Sequence, residues 1–314
     1  MDFNGNEQAL VRLGQALQAR DYRFVTVTPA THARVNSRSG NESARTLRDV
    51  FGWNRPFQEE ILPAPIFDLM KEAKILTPHP LGWKSRLRAS TLHGKLFFHS
   101  AYPTEAADSV FFGPDTYRFA RMIQDFLDRN ACPIRRAVDI GCGAGPGAIV
   151  FSSEQPETET FATDINPAAL SLTRVNAALN GVAHLICCQS NLVSEVPGQF
   201  DLIMANPPYL NDPAQRTYRH GGGPLGSALS LAIVETALES LTPGGVLLLY
   251  TGVAMQEGQD PFFSAVQHTL DNTGFLYRYQ ELDPDVFGEE LLEPAYSSAE
   301  RIAAVALQVT APES

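Results

Sequence analysis

The stretch VDIGCGAGPG, residues 138–147, decides the fold. Ala137 to Ile140 form a short apolar run broken only by Asp139, which reads as a buried strand. Gly141, Gly143 and Gly145 then let the backbone turn sharply and let a ligand approach without a Cβ in the way. A helix predicted over Gly147 to Phe151 follows, and its first N–H groups are unpaired by construction. The spacing is not a strict G-x-G-x-x-G, because Pro146 stands where the third glycine would fall.

Outward from this turn, strands and helices alternate. A helix is predicted at Tyr117 to Asn130, before the turn. After it come a strand at Phe161 to Asp164, a helix at Pro167 to Asn180, and strands at His184 to Gln189 and Phe200 to Ala205. A helix at Leu225 to Leu241, ended by Pro243-Gly244-Gly245, leads to a strand at Val246 to Thr251. A helix at Pro261 to Asn272 and strands at Phe275 to Glu281 and Ile302 to Val309 complete the series. The alternation predicts an α/β domain over residues 109–314. It would be a Rossmann-like, doubly wound, mostly parallel seven-stranded sheet that binds ligands at the carboxyl ends of its strands.

Residues 1–108 read differently. Ala9, Leu10, Leu13, Ala16 and Leu17 recur at helical spacing within Asn6 to Arg20, and short helices are predicted at Leu47 to Trp53 and Ile61 to Leu76. Residues 30–45 are polar and read as a loop, and Ser85 to Ser100 read as a hairpin around His93-Gly94. Helices followed by a two-stranded wing suggest a winged-helix-like substrate-recognition module, with Trp53 and Trp83 in its core. The chain of 314 residues is long enough for these two units.

Charge separates the two parts. The chain carries −11 overall, but residues 1–110 hold 14 basic and 11 acidic side chains, against 10 and 24 in the remainder. No lysine follows Lys95. A phosphate grip would have to come from Lys84, Arg86, Arg88, His93 and Lys95, a stretch that also reads as a solvated strand face. The acidic second part disfavours nucleic acid as a partner. No run approaches eighteen apolar residues, the N-terminal stretch lacks the pattern of a secretory signal, and the four cysteines show neither CxxC nor metal spacing. These features predict a cytoplasmic protein without a membrane partner.

Three groups of residues carry chemistry. Asp139, at the end of the strand before the glycines, suits an ammonium group better than a pyrophosphate. Asp164, ending the next strand, can accept from ribose hydroxyls. Together they favour S-adenosylmethionine over a dinucleotide, although a tight turn with a capping aspartate would use the same residues. Asn191 ends the third strand, where its amide can meet an adenine edge or serve as a polar turn residue. Asn206-Pro207-Pro208-Tyr209 follows the apolar strand DLIMA directly. The prolines stiffen that turn and hold Asn206 extended. The Asn206 side chain and the Pro207 carbonyl then offer two acceptors to one NH2 group, and Tyr209 offers a flat face to a planar amide or base. Such a grip draws a delocalised nitrogen toward tetrahedral geometry and frees its lone pair for a methyl group.

The ordered array VDIGCGAGPG, TDINPAAL, DLIMANPPYL and LTPGGVLLLY resembles the class I S-adenosylmethionine-dependent methyltransferases. Within them it is most similar to the branch with an Asn-Pro-Pro-Tyr motif, which includes the release-factor glutamine methyltransferases and the small-domain RNA and DNA amino-methyltransferases. The resemblance covers roughly residues 110–310. It implies an N-methyltransferase with Asp139, Gly141, Gly143, Gly145, Asp164, Ile165, Asn191 and Asn206 at the cofactor. It implies Asn206, Pro207 and Tyr209 at the reacting nitrogen. FFGPDTYRFA, residues 111–120, resembles the motif that closes over cofactor and substrate, so Phe112 and Tyr117 join Pro208, Tyr209 and His220 as substrate-binding candidates. Asn191 stands where the family usually has aspartate, and the acidic segment 283–299 is an insertion. The acceptor could be a protein glutamine, a nucleobase or a small molecule.

Other readings carry less. His220-Gly221-Gly222-Gly223 resembles a lipase oxyanion loop, but no G-x-S-x-G nucleophile turn accompanies it. No histidine spacing indicates a metal. An NAD(P)-dependent oxidoreductase on the same sheet, a noncatalytic winged-helix regulator, and a methyltransferase acting on another acceptor atom are the alternatives.

Overall fold

The computed structural model describes residues 6–271 and 273–313. Five adjacent strands of a seven-stranded sheet run parallel: β5 (Arg136–Ile140), β6 (Glu159–Asp164), β7 (Ile186–Gln189), β8 (Phe200–Ala205) and β9 (Leu241–Met255). β10 (Leu276–Asp283) and β11 (Arg301–Thr310) complete it in the order β10-β11-β9-β8-β5-β6-β7, and β11 alone runs against its neighbours. Helices α5 (Pro114–Leu127), α6 (Pro146–Glu154), α7 (Pro167–Leu179), α8 (Ala228–Ser240) and α9 (Pro261–Leu270) supply the flanking layers. Strand β8 carries Leu202, Ile203, Met204 and Ala205 fully buried, as a strand covered on both faces must. The predicted doubly wound fold is therefore present. Its boundaries differ chiefly at β9, which begins at Leu241 directly after α8 and runs through Pro243-Gly244-Gly245. Asn272, the last residue of the helix predicted from Pro261, lies outside the described residues.

The N-terminal residues form α1 (Glu7–Gln18), α2 (Pro29–Asn36), α3 (Leu47–Phe51), α4 (Ala64–Glu72) and two hairpins. β1 (Leu76–His79) pairs with β2 (Gly82–Ser85), and β3 (Leu87–Leu92) with β4 (Lys95–Ser100). Helix α2 corrects the first part of the loop predicted over 30–45, and residues 37–45 are irregular as expected. Thr28 caps it by accepting from the Thr31 amide, Pro29 opens it, and His32 is its buried residue. Buried groups across the tertiary structure outweigh the polar local composition there.

The β3–β4 hairpin does not project as a free wing. Asn176 of α7 accepts from the Phe98 amide at 2.8 Å and donates to the Phe98 carbonyl at 3.0 Å. Asn180, one turn on, repeats the pattern at Leu96. Two asparagine side chains thus complete the outer edge of β4 as a neighbouring strand would. Asn176 also donates to the Ala144 carbonyl, inside the glycine turn, at 2.8 Å. The apolar core is continuous across this junction and runs from α1 through the hairpin to α6 and α7. Asn176→Ala leaves the buried Phe98 and Ala144 groups without partners. It is expected to lower unfolding stability by about 2–4 kcal/mol, readable from urea melts, whereas a loss below 0.5 kcal/mol would show that water replaces the amide at no cost.

Candidate active site

The cleft lies at the carboxyl ends of β5, β6, β7 and β8. Gly141 and Gly143 take φ values of +69° and +58°, and at Gly141 nothing stands within 4 Å of where a side chain would begin. The turn therefore leaves an open cradle. Asp139 is buried beneath it. Its Oδ2 accepts from the Ala148 amide at 2.8 Å, and its Oδ1 has no partner among the described residues. Burial pushes its carboxyl up to about 7, the nearby Asp164 adds to the rise, and the Ala148 amide opposes it. Asp164 accepts from Gly143 through Oδ2 at 3.0 Å and from Asn166 through Oδ1 at 2.8 Å. It thereby ties the glycine turn to the end of β6 while keeping a second lone pair on each oxygen.

The turn after β8 faces this cradle. Asn206 is half-buried, and neither its side-chain amide nor the Pro207 carbonyl has a hydrogen-bond partner among the described residues. Tyr209 is buried. Its ring lies against Gly252 of β9 and meets Phe287 edge-on at 5.9 Å. Its hydroxyl donates to Asp115 Oδ2 at 2.7 Å.

The cleft brings together Asp139, Gly141, Gly143, Asp164, Ile165, Asn191, Asn206, Pro207, Pro208 and Tyr209. Four candidates do not line it. Gly145 sits behind the turn as the left-handed residue capping α6, against Thr173. Phe112 stacks on His99 at 5.0 Å within the N-terminal core. The Tyr117 hydroxyl accepts from the Thr26 amide. His220 accepts from the Asp212 amide through Nδ1. Sequence reasoning missed Phe111, Asp115, Thr116, Tyr218 and Phe287, which do line the cleft. Neighbours in an extended segment point to opposite sides, so choosing Phe112 over Phe111 selected the wrong face. Helical spacing from Asp115 to Phe119 was the available signal. Phe287 lies in the acidic insertion 283–299 that the sequence sets apart, but it follows a segment without periodicity and adopts φ +54°, so the residue itself was not announced.

Internal pairs hold the loop that carries Thr217, Tyr218 and Arg219 at the cleft. Arg216 binds Asp212, Arg219 binds Glu290, and the Tyr218 hydroxyl donates to the Thr104 carbonyl. The Asp212 carboxyl is held down to about 2, chiefly by the Arg216 hydrogen bonds.

The sequence profile described as methyltransferase small domain matches residues 120–276, half of the chain. The chain belongs to the methyltransferase small domain family. Among curated proteins, this methyltransferase-family chain is 32% identical over 175 residues to the release factor glutamine methyltransferase of Deinococcus radiodurans, covering 52% of the chain and 62% of that protein. It is 33% identical over 112 residues to the ribosomal RNA small subunit methyltransferase C of Serratia proteamaculans, covering 36% and 29% respectively. The matches span less than two thirds of these relatives. Among solved structures, the tRNA m1G37 methyltransferase of M. jannaschii shares the fold at 20% identity and a TM-score of 0.50, over 75% of this chain and 60% of that one.

A Cβ at residue 252 would fall 2.2 Å from the Tyr209 ring. Gly252→Ala is therefore expected to displace that ring and destabilise the protein by about 1–3 kcal/mol. Thermal melts together with near-ultraviolet circular dichroism check this, and unchanged spectra and melting temperature would contradict it.

Proposed function

We propose that this protein is an S-adenosylmethionine-dependent N-methyltransferase acting on a planar amide or amino nitrogen. The single observation that carries the reading is the unpaired Asn206 side chain and Pro207 carbonyl, set in one cleft with the glycine turn and Asp139. The residues fit the cofactor. The buried, half-partnered Asp139 carboxylate suits its ammonium group, Asp164 its ribose, and the open space at Gly141 lets it approach the backbone. Ile165, exposed beside Asp164, and Asn191 offer an apolar surface and an amide to its adenine. When bound, S-adenosylmethionine supplies an electrophilic methyl group on a sulfonium.

Asn206 and Pro207 then accept both hydrogens of the acceptor NH2. That grip orients the nitrogen lone pair; as the new nitrogen–carbon bond forms, the carbon–sulfur bond would break to leave S-adenosylhomocysteine, and one N–H proton would pass to solvent water. Tyr209, Pro208 and Phe287 wall the acceptor side. The cations there, Arg216 and Arg219, are already paired with acids, and the domain is acidic, which supports a neutral acceptor on a protein or small molecule over a nucleic-acid backbone. No cleft-lining residue precedes Ser109 among the described residues. Residues 1–108, taken as a substrate-side module, would act through the Thr104 carbonyl that holds Tyr218 and Arg216.

Incubation with methyl-labelled S-adenosylmethionine and fractionated cell lysate tests this reading. Label is expected in protein or metabolite fractions with the wild type, falling by about 100-fold or more in Asn206→Ala. Label at a carbon or oxygen atom, or undiminished label in the variant, would refute it. Affinity should also follow pH. A ligand ammonium favours ionised Asp139, whose carboxyl sits at about 7, so binding strengthens as pH rises through 7 and weakens below it. Calorimetry with S-adenosylhomocysteine from pH 5.5 to 8.5 measures this, and Asp139→Asn should flatten the profile.

A further inference from the structure

Asp115 holds together four segments that are remote in sequence. It is the second residue of α5, is 4% exposed, and lines the cleft. Its Oδ2 accepts from the Tyr209 hydroxyl at 2.7 Å, and its Oδ1 from the Tyr250 hydroxyl at 2.6 Å and from Arg118 at 3.2 Å. Arg118 in turn donates to Asp283 at 2.6 Å, where β10 hands over to the segment bearing Phe287. Two buried phenols and a guanidinium are three donors. Only an acceptor-only group with two oxygens satisfies all three, and an amide or a protonated acid would present a hydrogen to one of them.

The consequence lies at Tyr209. Gly252 and Phe287 flank its ring and restrict rotation of its plane, and the hydroxyl bond to Asp115 anchors its far end against tilt. Tyr209 ends the same rigid turn that presents Asn206 and Pro207. We propose that Asp115 is a positioning residue for the acceptor site, fixing the tilt of the Tyr209 ring and through it the Asn206–Tyr209 turn. Both Asp115 oxygens are engaged by these donors, so it acts through the phenol. The inference rests on the reading that this turn faces the acceptor nitrogen.

A double-mutant cycle tests it, with methyl-labelled S-adenosylmethionine and the lysate fraction that accepts label from the wild type. Asp115→Asn and Tyr209→Phe are each expected to slow transfer by about 10- to 100-fold, with S-adenosylhomocysteine affinity within about threefold of wild type. Their combination should be little slower than either alone, because both remove one bond. Tyr250→Phe, which spares that bond, should stay within about threefold of wild type. Multiplying rate losses, or wild-type rates in Asp115→Asn, would overturn the proposal. If Asp115→Asn fails to fold, Tyr209→Phe cuts the bond from its other end, and an unchanged rate there overturns the proposal equally. Ring-labelled tyrosine NMR separates this claim from the functional one. A Tyr209 hydroxyl proton and ring ζ-carbon whose signals change in Asp115→Asn but not in Tyr250→Phe support positioning, and unchanged Tyr209 signals in Asp115→Asn reject it. Absence of methyl transfer by the wild type would instead reject the reading of the reaction.

Discussion

In a parallel sheet every connection must cross a face, and the face changes where the strand order reverses. Here the reversal lies between β5 and β8: β5 leads outward to β6 and β7, while β8 leads the other way to β9. The loops leaving β5 and β8 therefore diverge and open a crevice between them. The glycine turn and the Asn206–Tyr209 turn occupy its two lips, some sixty residues apart in sequence but on hydrogen-bonded strands. Ile140 pairs with Ala205, so the two motifs leave the sheet in register. Every chemical property attributed to the cleft depends on that pairing.

The carboxylates show how the two sides of the crevice differ. Asp139 and Asp164 both lie at strand ends and both are desolvated, yet backbone amides compensate them unequally. Asp164 receives two amides through two oxygens, whereas Asp139 receives one. The deficit at Asp139 is an electrostatic cost that raises its carboxyl. Gly147 is part of the same arrangement. A Cβ there would stand 2.7 Å from Asp139 Oδ2, so the absence of a side chain lets the start of α6 approach the carboxylate.

Legibility from sequence followed the locality of the interactions. The cofactor side was readable because each element is a few residues long: a strand, a turn with glycines, a capping asparagine at Asn166, a helix opened by Pro167. Those residue types are dictated by the backbone around them. The polar segment 30–45 misled because α2 is held by burial of His32 and by the Asn36 side chain reaching the Trp53 carbonyl, contacts that composition does not reveal. The hairpin at 87–100 was visible, but its docking on α7 was not. Asn176 and Asn180 look like ordinary helix residues until a strand edge lies beside them.

The acceptor side was hard to read for a related reason. Tyr209 was visible in its motif, yet its environment comes from Asp115 before the sheet, Tyr250 and Gly252 in β9, and Phe287 after β10. None of these has a local structural reason to be the residue it is. Asp115 could stand in the first turn of α5 equally well as serine, and Tyr250 could fill its buried place as phenylalanine, were the third partner absent. Each choice becomes intelligible only when the three donors and one carboxylate are counted together. A buried carboxylate costs several kcal/mol unless fully hydrogen-bonded. Asp115 meets that condition, because Tyr209, Tyr250 and Arg118 together donate to both its oxygens.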